Sequence, residues 1–260
     1  MRFGIIGCGA IGSFIAQEVD GGKVENLTLE ALFDINFDKA KELAEKLKKE
    51  VRICRSIEEF LNLNVNLVLE SASQEALKSY AFKIIDSGSD LVVMSAGALA
   101  DDDFRTELFE YVKRKNRKLY VPSGAVAGLD GLKAFSNVKI NKASLITRKP
   151  PAGLSVSGRG PEVLFEGSPK EAAVKFPQNI NVAIALGLAG DMLEKLKVKI
   201  ISDPNVNFNE HNIEVESEAG ELRIVLRNKP FPQNPKTSFL AALSCLEMLR
   251  SISRNIIIGG

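Results

Sequence analysis

The chain has 260 residues, 45% of them hydrophobic, with 34 lysines and arginines against 33 aspartates and glutamates; the net charge is +1 with the single histidine neutral. This is the composition of a folded globular protein rather than a disordered one, and its near-neutrality gives no field for nucleic acid or an anionic membrane. One histidine and three scattered cysteines (Cys8, Cys54 and Cys245) argue against a histidine-rich metal centre and a disulfide framework, so a reducing cytoplasm is expected, and no apolar run approaches the ~18 residues of a membrane span.

Hydrophobic spacing predicts short buried strands at residues 2–6, 27–33, 65–69, 90–94 and 119–121. Helices are predicted between them, at 11–19, 37–49, 74–86 and 101–115. In the second helix Glu42 and Lys46, then Glu45 and Lys49, stand at the spacing and in the order that favour helix-surface pairs. Strands alternating with helices of this length imply an α/β domain, a Rossmann-type doubly wound parallel sheet over residues 1–125.

Beyond Pro122-Ser123-Gly124-Ala125 the pattern changes. Residues 139–148, 161–166 and 213–226 alternate as strands do, a helix is predicted at 182–196, and the loops are rich in Pro, Gly and Asn. An α+β second domain with an open, mostly antiparallel sheet fits residues 126–233. A last helix is expected to start at Asn234, as N-cap, with Pro235 next, and to run to about Ser253; as part of a segment 234–260 it would rejoin the first domain.

Gly7-Cys8-Gly9-Ala10-Ile11-Gly12 lies between a strand and an amphipathic helix. In that context Gly7 permits a tight turn, Gly9 the close approach of a pyrophosphate, and Gly12 close helix–strand packing. The amides opening the helix at Ala10 and Ile11 would face the anion. Asp34 ends the second strand 22 residues beyond Gly12, where a carboxylate accepts bonds from both adenosine ribose hydroxyls and repels a 2′-phosphate. NAD is the expected cofactor; Lys39, close in sequence, leaves NADP open. In a parallel sheet, Ala72 and Ser73 after the third predicted strand and Ser95-Ala96-Gly97-Ala98 after the next fall at the same end, small enough to leave room for a nicotinamide ribose.

Near residue 211 the alternation puts Asn209, His211, Ile213 and Val215 on one face and four polar or acidic residues on the other. An inward histidine suits a structural hydrogen-bonding role. Beside a nicotinamide site it also suits the base that oxidation at an amine- or hydroxyl-bearing carbon requires. Asn181 opens the apolar helix, where it could equally be a cap. Lys236 falls in the first turn of the expected last helix, a place the helix dipole disfavours for a cation, so an anionic partner is a candidate explanation. Arg148 and Lys149 end a strand as a second candidate carboxylate clamp, the alternative being a solvated basic strand end.

At these residues the sequence resembles the L-aspartate dehydrogenase family over essentially its whole length. The carrying segments are 7–12, 70–74, 123–130, 147–149, 165–167, 176–182, His211 and Asn234-Pro235-Lys236-Thr237-Ser238. The resemblance implies NAD(P)-dependent conversion of L-aspartate to iminoaspartate, or oxaloacetate plus ammonia, serving NAD biosynthesis in a homodimer. It implies that His211 is the active-site residue and that Ala125 and Asn181 touch the cofactor. The substrate carboxylates would fall to candidates among Arg148, Lys149, Lys236 and Thr237. The family often has Arg after the acid of the second strand, where this chain has Ile35. The rivals are a homoserine-dehydrogenase-like or dihydrodipicolinate-reductase-like enzyme, which share both domain types, and a non-catalytic NAD-binding sensor, which would have no use for an inward base.

Overall fold

The computed structural model describes residues 1–157, 159–177 and 180–258. Its contacts divide the described chain into two compact units, Met1–Pro122 with Cys245–Ile257, and Ser123–Ser244 with Ile258. No helix of the described residues is long and apolar enough to cross a membrane.

The first unit begins with β1 (Arg2–Ile6), α1 (Ala10–Asp20), β2 (Thr28–Phe33), α2 (Phe37–Ala44), β3 (Arg52–Cys54), α3 (Ile57–Leu61) and β4 (Leu67–Glu70). It continues with α4 (Gln74–Asp86), β5 (Asp90–Val93), a 3-10 turn at Ala96–Ala100, α5 (Asp102–Arg114) and β6 (Leu119–Tyr120). All the pairings are parallel, in the order β3-β2-β1-β4-β5-β6. β4 is buried at every residue, as expected of a central strand covered on both faces. Helix starts follow local chemistry: the side chains of Asn36, Ser56, Ser73 and Asp101 each accept an amide in the first turn of the helix they open. The strand order reverses between β1 and β4, so a crevice opens beyond their carboxyl ends.

The second unit contains α6 (Leu129–Phe135), β7 (Ile140–Lys149), α7 (Pro151–Leu154), β8 (Glu162–Gly167), α8 (Pro169–Lys175), α9 (Asn181–Ala189), β9 (Leu196–Ser202), β10 (Asn209–Ser217) and β11 (Gly220–Asn228). A hairpin of β12 (Pro230–Phe231) and β13 (Asn234–Ser238) follows, then α10 (Phe239–Ser253). The main sheet runs β11-β10-β7-β9-β8, and only the β7–β9 pairing is parallel. Along β7, β9 and β10 the buried residues alternate: Ala143, Leu145 and Thr147; Val198 and Ile200; His211, Ile213 and Val215. Cys245, Leu246 and Leu249 of α10 pack with Phe3, Ile5, Ile15 and Leu29 in the first unit's core.

Several boundaries differ from the sequence reading: the stretch 213–226 is divided between the two strands of a hairpin, β10 and β11, and three further differences have a local cause. α2 stops at Ala44, because the carboxylate of Asp20 takes the amides of Lys48 and Lys49 (2.7 and 3.1 Å) and draws the chain off the helix; Lys46 and Lys49 are not helical. α9 ends at Ala189, where Gly190 and the left-handed Asp191 (φ 48°) release the chain into β9, so the predicted helix end at 196 is the start of a strand. Residues 234–238 form a strand, not a helix start. Asn234 does bond the amide of Lys236 (3.3 Å), a turn within the hairpin, and Pro235 is tolerated because a two-stranded hairpin leaves edge positions that need no N–H. The helix begins at Phe239.

Candidate active site

In the first unit, a cleft of about 370 Å³ is lined by Gly7, Gly9, Asp34, Ile35, Lys39, Ala72 and Ser73 among others. Gly7 takes φ +94°, and a Cβ there would come within 2.7 Å of the Ala72 amide nitrogen, so the turns after β1 and β4 fit together only around glycine. The Ser71 hydroxyl donates to the Gly7 carbonyl (2.9 Å) and fixes that junction. At Gly12 an added Cβ would strike the Gly7 carbonyl oxygen. At Gly9, by contrast, no protein atom lies within 4 Å of the position a Cβ would take. α1 has no side-chain cap and no acid in its first turn, so the amides near Ala10 and Ile11 are left for an anion.

Asp34 sits just past β2. Its two oxygens accept the amides of Cys8 and Asn36, each at 2.8 Å, which holds the carboxylate rigid while leaving lone pairs for ribose hydroxyls. Ile35 is 91% exposed on the rim and carries no charge toward a 2′-phosphate, while Lys39 lines the same cleft. An open side at Gly9, uncapped amides and a fixed acid together fit a pyridine dinucleotide.

Glu70 is a component the sequence reading did not single out. It is fully buried at the end of β4, and its carboxylate accepts the Ala72 amide (2.8 Å), the Ser95 amide (3.1 Å) and the Ser95 hydroxyl (2.8 Å). It therefore ties together the loops after β4 and β5. Burial pushes its pKa up to about 7 against the pull of these bonds. The available signal was an acid closing the otherwise apolar run Leu67-Val68-Leu69.

In the second unit the buried face of the sheet turns polar at one end. His211 pairs in register with Thr147, and its Nδ1 lies 3.0 Å from the Thr147 hydroxyl; its Nε2 is buried with no hydrogen-bond partner. Burial, then the charge of Lys149, lowers the imidazole pKa to about 3, so the ring is neutral at physiological pH. Lys149, on the same face two residues beyond Thr147, is itself buried, which lowers its ammonium pKa to about 8; it donates to the Lys236 carbonyl (3.2 Å).

The structure thus brings His211 and Lys149 together, but it does not bring Arg148. Strand alternation turns Arg148 to the opposite face, where it pairs with Asp203 (2.7 Å) and approaches Glu210 (4.0 Å). Lys236 contributes its backbone carbonyl to the patch while its residue is exposed on β13, so the helix-dipole argument for its side chain falls away. Thr237 is bonded through its hydroxyl to Asn234 (3.4 Å). Ala125 is buried, its carbonyl accepting the Asn228 amide side chain (2.8 Å). Asn181 is the first residue of α9, Ile180 holding the cap position; Gln178 and Asn179, in the same family segment, lie outside the described residues.

A parallel sheet of this order with a glycine turn and a β2 acid, joined in one chain to an open sheet with a buried histidine–lysine patch, defines a two-unit pyridine-nucleotide dehydrogenase. Residues 7–122 match the family described as homoserine dehydrogenase, NAD binding domain, and residues 130–252 match aspartate dehydrogenase, C-terminal. The chain is 44% identical to the L-aspartate dehydrogenase of Methanosarcina barkeri and 39% identical to that of Methanocaldococcus jannaschii, covering 100% of this chain and 99% of each relative. A crystal structure of aspartate dehydrogenase from Thermotoga maritima aligns with a TM-score of 0.80 at 30% identity, over 100% of this chain and 99% of that one. The chain belongs to the L-aspartate dehydrogenase family. The nucleotide-binding half alone does not separate it from a homoserine-dehydrogenase-like enzyme; the second half does.

Proposed function

We propose that this protein oxidises L-aspartate at Cα to iminoaspartate, which hydrolyses to oxaloacetate and ammonia, with NAD as the preferred acceptor. The observation that carries the chemical reading is the sole imidazole of a family member, buried with Nε2 unpartnered beside a buried lysine. Gly7, Gly9, Ala10, Ile11, Gly12, Asp34, Ala72 and Ser73 of the first unit would hold the cofactor, which supplies the hydride acceptor when bound; the roles of Ala125 and Asn181 toward it rest on the family resemblance.

The chain's own groups handle the protons and the carboxylates. With Nδ1–H donating to Thr147, the bare lone pair of Nε2 faces the substrate and takes the proton that the α-ammonium must lose before its nitrogen can form a C=N bond. In the ligand-free protein the imidazole is a weak base. Burial is the larger cause of that weakness and the charge of Lys149 the smaller; a substrate carboxylate against Lys149 offsets the smaller one, so His211 gains basicity when substrate binds. Once the first proton has passed to solvent, the ring takes a second one from the water that adds to the iminium carbon and returns it to the nitrogen, which leaves as ammonia. Lys149 is the foremost candidate for holding a carboxylate, which orients Cα. Arg148, committed to Asp203 and Glu210, is not retained in that role.

Asp34 and the uncharged Ile35 support NAD over NADP, with Lys39 the residue that would moderate the preference. The family resemblance supports a cytoplasmic homodimer whose product enters pyridine nucleotide synthesis; gel filtration with light scattering tests the dimer. The function is tested by following NADH and NADPH formation with L-aspartate, D-aspartate, glutamate, homoserine and malate. Turnover of L-aspartate with NAD is expected, and turnover of malate or homoserine without L-aspartate would overturn the assignment.

A further inference from the structure

Among the described residues, three buried side-chain polar atoms without a hydrogen-bond partner fall on one patch: His211 Nε2, Asn209 Oδ1 and Ser202 Oγ. All three residues are on the buried face at the same end of the second unit's sheet. Ser202 stands opposite Lys149 in the β7–β9 register, and Asn209 precedes His211 by two residues on β10. A Cβ built on Gly153 of α7 would lie 3.6 Å from Asn209 Oδ1 and 3.6 Å from Lys149 Cβ and Cδ, so these two side chains border a common space.

An orphaned buried polar atom forfeits the hydrogen bonds it made to water, and several on one patch mark a place built for a ligand rather than for the empty fold. The chemistry of the atoms specifies that ligand. Asn209 is oriented by its amide, which donates to Ser238 (3.0 Å), so the unpaired end is an acceptor. His211 Nε2 is a second acceptor in the tautomer that donates to Thr147. Ser202 and Lys149 are donors. A ligand satisfying all four carries an N–H donor and a carboxylate within a bond or two of each other.

We infer that Asn209 and Ser202 complete a subsite for the α-amino-acid end of the substrate, Asn209 Oδ1 and His211 Nε2 receiving the amine, Ser202 and Lys149 the carboxylate. This rests on the reading of the protein as an amino-acid dehydrogenase. In the structure β13 bonds to the patch through the Lys236 carbonyl and Ser238, so admitting a ligand exchanges some of these bonds for the ligand's own.

The test is calorimetric titration of the full-length protein saturated with NADH, which cannot oxidise aspartate, using L-aspartate and the amine-free dicarboxylate succinate. Ser202→Ala removes an unpaired hydroxyl, so its unfolding midpoint should be unchanged or raised while affinity for both ligands falls about tenfold, the loss of one hydrogen bond to a charged group. Asn209→Leu should weaken L-aspartate about tenfold or more and leave succinate within about twofold. Should Asn209→Leu not fold, Ser202→Ala alone decides: unchanged affinity for both ligands overturns the subsite. So does an Asn209→Leu variant that weakens both ligands equally or neither. Failure of the functional reading looks different, since the wild-type protein would then form no NADH from L-aspartate.

Discussion

Replacing Gly9 by alanine separates dinucleotide binding from folding, because the residue is open to solvent on the side a methyl would fill. Its backbone (φ −73°, ψ −165°) is ordinary for alanine, and no protein atom lies within 4 Å of the new Cβ. The fold loses only the preference for Gly over Ala at a helix cap, on the order of 0.5–1 kcal/mol. A gain of about 0.4–1 kcal/mol from the stiffer unfolded chain offsets it, so stability should move by less than about 0.5 kcal/mol. Binding fares differently. A methyl standing between a pyrophosphate and the α1 amides forfeits at least one hydrogen bond to a charged group, about 1.5–3 kcal/mol, or roughly 10- to 100-fold in Kd. Gly12→Ala is the contrasting variant: its Cβ meets the Gly7 carbonyl and, at 2.8 Å, the Ser71 hydroxyl, and the backbone oxygen cannot rotate away. That overpacking should cost about 1–3 kcal/mol of stability and weaken NAD as well. Titration calorimetry with NAD and urea unfolding read the two quantities. Gly9→Ala binding NAD as wild type, or losing as much stability as Gly12→Ala, would refute the assignment of that open space to the cofactor.

Three further outcomes follow from buried charges. With a folded pKa near 3 against an ordinary 6.5, His211 supports stability above pH 6.5 and withdraws it as pH falls toward 3; relative to His211→Gln, the wild type should lose about 2–3 kcal/mol between pH 6.5 and 4.5 in urea titrations, and parallel curves would contradict this. Glu70 has the opposite sign: its pKa, raised from 4.5 to about 7, gives stability that is full below pH 4.5 and lost as pH rises through 7, about 3 kcal/mol in all, and Glu70→Gln should abolish that slope. Lys149, with a pKa near 8, should make kcat/KM for aspartate fall above about pH 8, whereas Lys149→Met should be low and free of that fall; an unchanged profile in the variant would assign the limb elsewhere.

Much of the first unit is readable because its signals are local. β1 and α4 appear at the predicted residues, since a wholly apolar run between turns and a Ser cap before a periodic segment need no tertiary information. β3 and α3 were missed: three strand residues and five helix residues carry too little pattern to stand out. β9 was hidden inside a predicted helix, although the alternation Leu196, Val198, Ile200 was present, because α9 is apolar on every side and shows no phase that marks its end. Asn234-Pro235 misled for another reason. A capping pair and an edge-strand turn use the same residues, and only the pairing with β12 distinguishes them. At the site, His211 and the glycine turn were legible from position in strand and loop. The separation of Arg148 from Lys149 is legible from alternation alone, since adjacent residues of one strand point to opposite faces. Ser202 required packing to be seen; Asn209 shares His211's face in the alternation and Glu70 closes an apolar run, but the partners they have or lack show only in the fold.

The most direct test of the account is turnover of L-aspartate by His211→Ala set beside its affinity for NADH. Loss of one positioned acid–base group should lower kcat by about 10²-fold or more with NADH affinity within about twofold of wild type, because the dinucleotide contacts argued from the glycine turn and Asp34 are untouched. Turnover retained at the wild-type rate would contradict the assignment of the proton transfers to this imidazole and would turn attention to Lys149.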